Sequence, residues 1–131
     1  MRPLYAVAVW IAAAAHFVFL LYLPLGGFLA LRWRRTIAVH VAAVLWALGS
    51  VALDIGCPLT DVERWARSRA GMGSLEPSGF IDHYVTGVLY PPGATGYAQA
   101  AVFSAVLISW VAYLGTARRR PPVDTRIKNP E

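Results

Sequence analysis

Three long apolar runs constrain this chain more than any other feature of its sequence. They cover about residues 4–31, 37–56 and 97–116. An α-helix rises about 1.5 Å per residue, so about 20 residues cross the roughly 30 Å hydrocarbon core of a bilayer. Because a chain in lipid must satisfy its own backbone polar groups, the runs predict three membrane-spanning helices.

The composition agrees with lipid as the solvent around these helices. Hydrophobic residues make up 57% of the chain and charged residues only 15%, whereas soluble domains usually have about 25% charged residues. The net charge of +5 comes from arginines at the ends of the apolar runs. That placement is typical of membrane topology and not of a nucleic-acid surface. We therefore expect membrane lipid, and no nucleic acid, among the partners.

The predicted fold class is all-α, a membrane-embedded three-helix bundle with one or two short interfacial helices in the second loop. The predicted single membrane domain covers residues 1–117, with the second loop at 57–96 and a disordered tail at 118–131. In that loop, Thr60 and Glu63 have capping-box spacing, which predicts a short helix over 61–69 that stops at Gly71. Residues 80–90 are apolar but too short to span, and are expected to be interfacial or re-entrant.

Arginine and lysine residues in the flanks predict the orientation. The first loop carries three arginines, and the C-terminal tail is also basic. With three spans these two segments share a side, and the positive-inside rule places that side in the cytoplasm. We expect the N-terminus outside and the C-terminus inside. A cleavable leader is the alternative, but the apolar run continues well past Ala15 and the positive cluster follows the run.

Ionisable side chains inside the spans are candidate functional groups because they are costly toward lipid. Counting helix rise from the shared surface places His16 and Asp54 within about 3 Å of each other in height, and His40 about 18 Å lower. This separation excludes a His16–His40 haem, since both ligands must reach one iron. A haem held by His16 and His83 stays open. His40 is expected to reach headgroups or a backbone carbonyl.

One polar cluster is expected toward the outer surface. Its members could bind a metal or support acid–base or nucleophilic chemistry, and they are His16, Asp54, Cys57, Asp82 and His83. Asp54, Cys57 and His83 are the candidate metal ligands. No spacing matches a named catalytic motif, so catalytic residues and cofactors stay undetermined. The favoured interpretation is structural: His16 and Asp54 form a buried hydrogen-bonded pair between two helices.

Several short motifs resemble a family of small bacterial membrane proteins known as domain of unknown function 2784. The specific pieces are Cys-Pro-Leu-Thr at 57–60 and Gly-Phe-Ile-Asp-His-Tyr at 79–84. The other matching positions are His16, Phe17, His40, Trp46, Glu63, Trp65, Arg67, Ala70, Gly71, Tyr90 and Pro91. The likeness covers roughly residues 4–120. It implies a helical membrane protein and supplies no activity. We expect the bacterial inner membrane as the location of this chain.

The sequence leaves two functions open. Stripes of small residues on the spans, such as Ala105, Ser109 and Ala112 on the third, allow close helix packing. With no catalytic motif, they favour an accessory or assembly subunit that packs against a larger membrane protein or another copy of itself. The alternative is a metal-binding or redox-active membrane protein, which could be an enzyme, with its site in the outer cluster.

Overall fold

The structure, a computed structural model, describes residues 1–75 and 77–119. Within this part of the chain it is all-helical apart from turns and one isolated bridge between Thr86 and Tyr90. The helices are α1 (Arg2–Arg32), α2 (Ile37–Ala52), α3 (Pro58–Ala70), α4 (Phe80–Tyr84) and α5 (Thr95–Arg118), with a 3₁₀ turn (Arg34–Thr36) before α2.

Three helical segments are long and apolar enough to cross a membrane, as the sequence predicted. They are α1, the 3₁₀ turn together with α2, and α5. The largest difference from the predicted bounds is the end of α2, which stops at Ala52 and not near residue 56. Asp54 then adopts a left-handed backbone with φ of 51°, a conformation that ends a helix. Of the predicted tail, residues 120–131 lie outside the described residues.

Helix α1 is the element on which the others pack. It contacts α2, α3 and α5, and it runs unbroken through Pro24. Its buried side chains include Val9, Ala12 and Ala13 in the half that faces α3, and Leu23 and Ala30 farther along. Small side chains on this helix let its neighbours approach closely.

Two apolar clusters hold the helices together. The first joins α1, α2 and α5 through Leu23, Val44, Ala47 and Val106. The second joins α1 to α4 and the turn after it through Ala13, Phe80 and Val85. Because burial of apolar side chains is the main favourable term in packing, these clusters fix where α4 lies against α1.

The predicted short helix in the second loop exists, but its capping box is wrong. Helix α3 begins at Pro58, which suits a first helical position because proline lacks an N–H. It ends at Gly71, whose φ of 72° favours glycine. The N-cap is Cys57, and no side chain of the described residues caps the helix. Glu63 lies one turn inside the helix and is fully buried.

Candidate functional site

His16 lies at the centre of the candidate site. It is on α1, only 5% exposed, and its ring stacks on Phe80 with centroids 4.1 Å apart and planes 8° from parallel. Its Nδ1 atom is buried and has no hydrogen-bond partner among the residues that the structure describes. A buried polar atom without a partner costs about 1–3 kcal/mol, so this nitrogen requires an explanation.

An apolar cavity of about 430 Å³ extends from His16 between the long helices. Its wall is almost wholly hydrophobic; among the lining residues are Phe19, Leu20, Leu23, Trp46, Ala47, Val85, Ala98, Val102 and Phe103. A volume of this size falls within the roughly 300–1,000 Å³ range of small-molecule sites. We call this space the apolar cavity.

A second cavity of about 580 Å³ adjoins the first. It is lined by many polar residues, among them Asp54, Thr60, Asp61, Arg64, Ser78 and Gln99, and we call it the polar cavity. Six residues line both cavities: His16, Ser50, Val51, Cys57, Ile81 and Gln99. The two spaces therefore meet at a junction where His16 and Gln99 supply hydrogen-bonding groups.

A buried polar network lies behind His16. The Glu63 carboxylate, 0% exposed, accepts hydrogen bonds at Oε1 from Arg67 Nε at 3.0 Å and from the Tyr84 hydroxyl at 2.9 Å. Arg67 also donates to Tyr84 and to the Gly73 carbonyl oxygen, the latter at 3.2 Å. This network ties α3 to α4, as expected for a buried charge that must be paired.

The network shifts the titration of its members. Burial, and after it the hydrogen bond to the Glu63 carboxylate, raises the pKa of the Tyr84 phenol. Burial works to lower the pKa of Arg67, but hydrogen bonds to Glu63 and Tyr84 outweigh it and raise that pKa. Both shifts keep Arg67 charged and Tyr84 neutral at ordinary pH. Glu63 Oε2 is buried and has no hydrogen-bond partner within residues 1–75 and 77–119.

His40 occupies a different site, where α1, α2 and α5 meet. It is 0% exposed. Its Nδ1 atom accepts a hydrogen bond from Trp110 Nε1 at 3.0 Å, and its Nε2 lies 2.9 Å from the Leu23 carbonyl oxygen. Since Nδ1 accepts, Nε2 carries the proton and donates. Of the two contacts expected for His40, headgroups or a backbone carbonyl, the carbonyl contact is confirmed, and both ring nitrogens have partners.

The predicted hydrogen bond between His16 and Asp54 is wrong. Asp54 lies in an exposed turn beyond the end of α2, so counting helix rise to this position does not hold. His16 instead packs its ring face on Phe80. The structure does bring His16, Asp54 and Cys57 to the wall of one space, since all three line the polar cavity.

The other two predicted cluster residues lie apart from the cavities. Asp82 and His83 are exposed on α4 and line neither one. The Ser78 and Thr86 hydroxyls, as hydrogen-bond donors, lower the pKa of Asp82. Within residues 1–75 and 77–119, no group of three or more His, Cys, Asp or Glu side chains is arranged to hold a metal ion. Asp54, Cys57 and His83 thus do not form such a group.

A known protein family matches most of this chain. The sequence profile described as "Protein of Unknown function (DUF2784)" matches residues 6–115, most of the 131-residue chain. The chain belongs to the DUF2784 family. No curated protein and no solved structure matches this DUF2784 protein. The matched range contains His16, both cavities and the polar network.

Three parts of the site were not predicted from the sequence of this DUF2784 chain. Gln99 stands at the junction, and no pattern in the sequence marks it. Glu63 and Arg67 form an ion pair four residues apart, and this spacing was a usable signal inside a predicted helix. Tyr84 was noted only as part of a motif. Its role depends on α4 folding back against α3.

Proposed function

We propose that this protein binds an amphipathic lipid-like molecule between its long helices, with the apolar part in the apolar cavity and the polar head at the junction. The observation that carries the proposal is the position of His16, a buried imidazole that lines both an almost wholly hydrophobic cavity and the polar cavity beside it. Sites that bind small molecules combine an apolar wall with a few convergent polar groups. Here those groups are His16, Ser50 and Gln99.

The arrangement of the two cavities supports an amphiphile over a uniformly apolar ligand. An apolar molecule alone would fill the apolar cavity but leave the polar groups at the junction without partners. A polar molecule alone would gain nothing from the hydrophobic wall, where burial contributes roughly 25 cal/mol per Å². A molecule with both parts satisfies both surfaces, and the lipid phase around a membrane protein supplies such molecules.

Native mass spectrometry of protein released from mild detergent tests this proposal. We expect a bound molecule of defined mass on the unmodified chain. Ala98 lines the apolar cavity, so Ala98→Trp should fill the space and remove that mass. Ala101 is exposed on the same helix and lines neither cavity, so Ala101→Trp is the matched control and should retain it.

The fold of each variant is checked by circular dichroism, so that loss of the ligand is not confused with loss of structure. Equal occupancy in a folded Ala98→Trp variant and in Ala101→Trp would contradict binding in the apolar cavity. A broad distribution of bound detergent and lipid masses on every variant would do the same.

A second candidate function is an accessory or assembly role beside a larger membrane protein or another copy of this chain. It is favoured by the outward side of α5, where small residues Ala100 and Ser104 are exposed one turn apart. Such spacing allows a neighbouring helix to approach closely. Purification in mild detergent should then yield a stoichiometric partner or a dimer. Ser104→Trp should disperse it, and Ala98→Trp should leave it assembled.

We also propose that the long helices form a bundle in the bacterial inner membrane with the N-terminus outside. The basic flanks support this orientation. The Arg34 guanidinium lies 4.6 Å from the Tyr113 ring centroid, which supports a shared side for the first loop and the basic end of α5. A phosphatase that is active only outside the cytoplasm should work when fused after Gly73 and fail when fused after Arg120. The reverse result would overturn the orientation.

A further inference from the structure

Resting on the proposed function, we infer that the bound molecule is a single-chain lipid with an uncharged head that donates or accepts hydrogen bonds, such as a hydroxyl or carbonyl group. The inference comes from the volume of the apolar cavity, the charge of the polar cavity and the groups at the junction between them.

The volume of the apolar cavity suits one chain. Its volume of about 430 Å³ lies near the lower end of the roughly 300–1,000 Å³ range of small-molecule sites. One alkyl chain therefore fits this space better than two.

The charge of the polar cavity disfavours an anionic head. Among residues 1–75 and 77–119, its charged lining residues are Asp54, Asp61 and Arg64. Arg64 Nη1 lies 3.9 Å from Asp61 Oδ1, and Arg64 also donates to the Pro77 carbonyl oxygen at 2.9 Å. Its positive charge is thus already directed toward groups of the chain. A phosphate would face the Asp54 carboxylate and be repelled.

The junction itself offers neutral hydrogen-bonding groups. Ser50, Cys57 and Gln99 surround His16 there. An imidazole and an amide can each donate and accept, which matches a hydroxyl or carbonyl and requires no charge on the ligand. Asp54, Asp61 and Arg64 line the polar cavity and are not among the six junction residues, so a charged head of either sign at the junction would lose water without gaining a charged partner there. The geometry therefore selects a neutral head.

Modification of Cys57 provides the readout. Cys57 is the only cysteine in the chain and lines the junction, so a bound head group should shield its thiol from a neutral thiol reagent. Protein in nonionic detergent is titrated with tetradecanol, tetradecyl phosphate or tetradecyltrimethylammonium, which share one chain and differ in head charge. We expect half-maximal protection by tetradecanol at a concentration at least tenfold lower than for either charged compound.

Two variants assign the discrimination to named groups. His16→Phe keeps an aromatic ring against Phe80 but removes both nitrogens, and should raise the half-protecting tetradecanol concentration at least tenfold. Asp54→Asn removes the carboxylate and should narrow the preference for the alcohol over the phosphate to about threefold or less. An unchanged preference in Asp54→Asn would overturn the electrostatic part of the inference.

The possible failures are distinguishable. Equal or better protection by the phosphate, or by the ammonium compound, would contradict the neutral head and leave amphiphile binding intact. Absence of protection by all three compounds on the unmodified chain would count against the proposed function itself. Protection that persists in Ala98→Trp would place the compounds outside the apolar cavity and would also count against it.

Discussion

His16 and His40, on neighbouring helices, are both almost completely buried but differ in their hydrogen-bond partners and in the space around them. His40 has a partner at each ring nitrogen and lies against Gly26 and Gly27, so close that a Cβ at Gly26 would stand 2.6 Å from its Cδ2. His16 has an unpartnered Nδ1 and borders two cavities. A satisfied buried histidine holds helices together, whereas an unsatisfied one requires another explanation, which the proposed ligand supplies.

The largest expected difference in stability comes from making the same substitution, histidine to phenylalanine, at each of the two positions. His40→Phe keeps an aromatic ring but leaves the Trp110 N–H and the Leu23 carbonyl oxygen without their present partner, and should lower the free energy of unfolding by about 2–4 kcal/mol. His16→Phe breaks no hydrogen bond within the described residues and should change it by less than about 1 kcal/mol. Unfolding in mild detergent titrated with dodecyl sulfate measures both.

Equal destabilisation by the two phenylalanine substitutions would break the comparison. It would mean that His16 has a structural partner in solution, and the argument for a ligand would lose its premise.

The next effect tests why His40 is so tightly held. Gly27 lies against Ser109 and His40, and a methyl group there would overlap the Ser109 side chain. Gly27→Ala should therefore lower the free energy of unfolding by about 1–3 kcal/mol. Gly49 has no atom within 4 Å of a Cβ position, so Gly49→Ala should be neutral or stabilising by up to about 1 kcal/mol. If the same titration shows no loss of stability in Gly27→Ala, the contact of this residue with Ser109 and His40 can relax to admit a methyl group.

The positions of the long helices were predictable because length and hydropathy alone determine them. The contact between His40 and Gly27 was predictable from the sequence. His40 follows Ile37 by three residues, and Gly27 precedes Leu31 by four. Helix rise therefore places them at nearly the same height. The His16–Asp54 pair failed because a helix end cannot be read to within two residues, and Asp54 lies just past one.

The polar network was harder to predict because it depends on a tertiary contact. The spacing of Thr60 and Glu63 fits a capping box, yet the same Glu63 pairs with Arg67 once α3 packs on α1. Only the fold brings Tyr84, which lies twenty-one residues after Glu63, within 2.9 Å of its carboxylate. The cavities are likewise properties of packing, and no local pattern encodes them.

The smallest effect concerns this network behind His16. Tyr84→Phe removes the hydrogen bonds to Glu63 and Arg67 and should lower the free energy of unfolding by about 1 kcal/mol at neutral pH. Because folding raises the pKa of Tyr84, its contribution is complete below its unfolded pKa of about 10 and is lost as pH rises through the folded value. The two proteins should therefore converge in alkaline solution. A stability difference between the two proteins that grows above pH 10 would contradict the upward shift of the Tyr84 pKa.

Nitrogen-15 spectra of the imidazole rings test the central claim most directly. The chain has three histidines, and the histidine substitutions assign His16 and His40, leaving His83 by elimination. Adding tetradecanol should shift the ring nitrogens of His16, because the head group supplies a hydrogen-bond partner at the junction. Those of His40 should stay unchanged, because both already have partners. Unchanged His16 nitrogens at saturating alcohol, or equal shifts at His40, would contradict the proposal that the head group binds at His16.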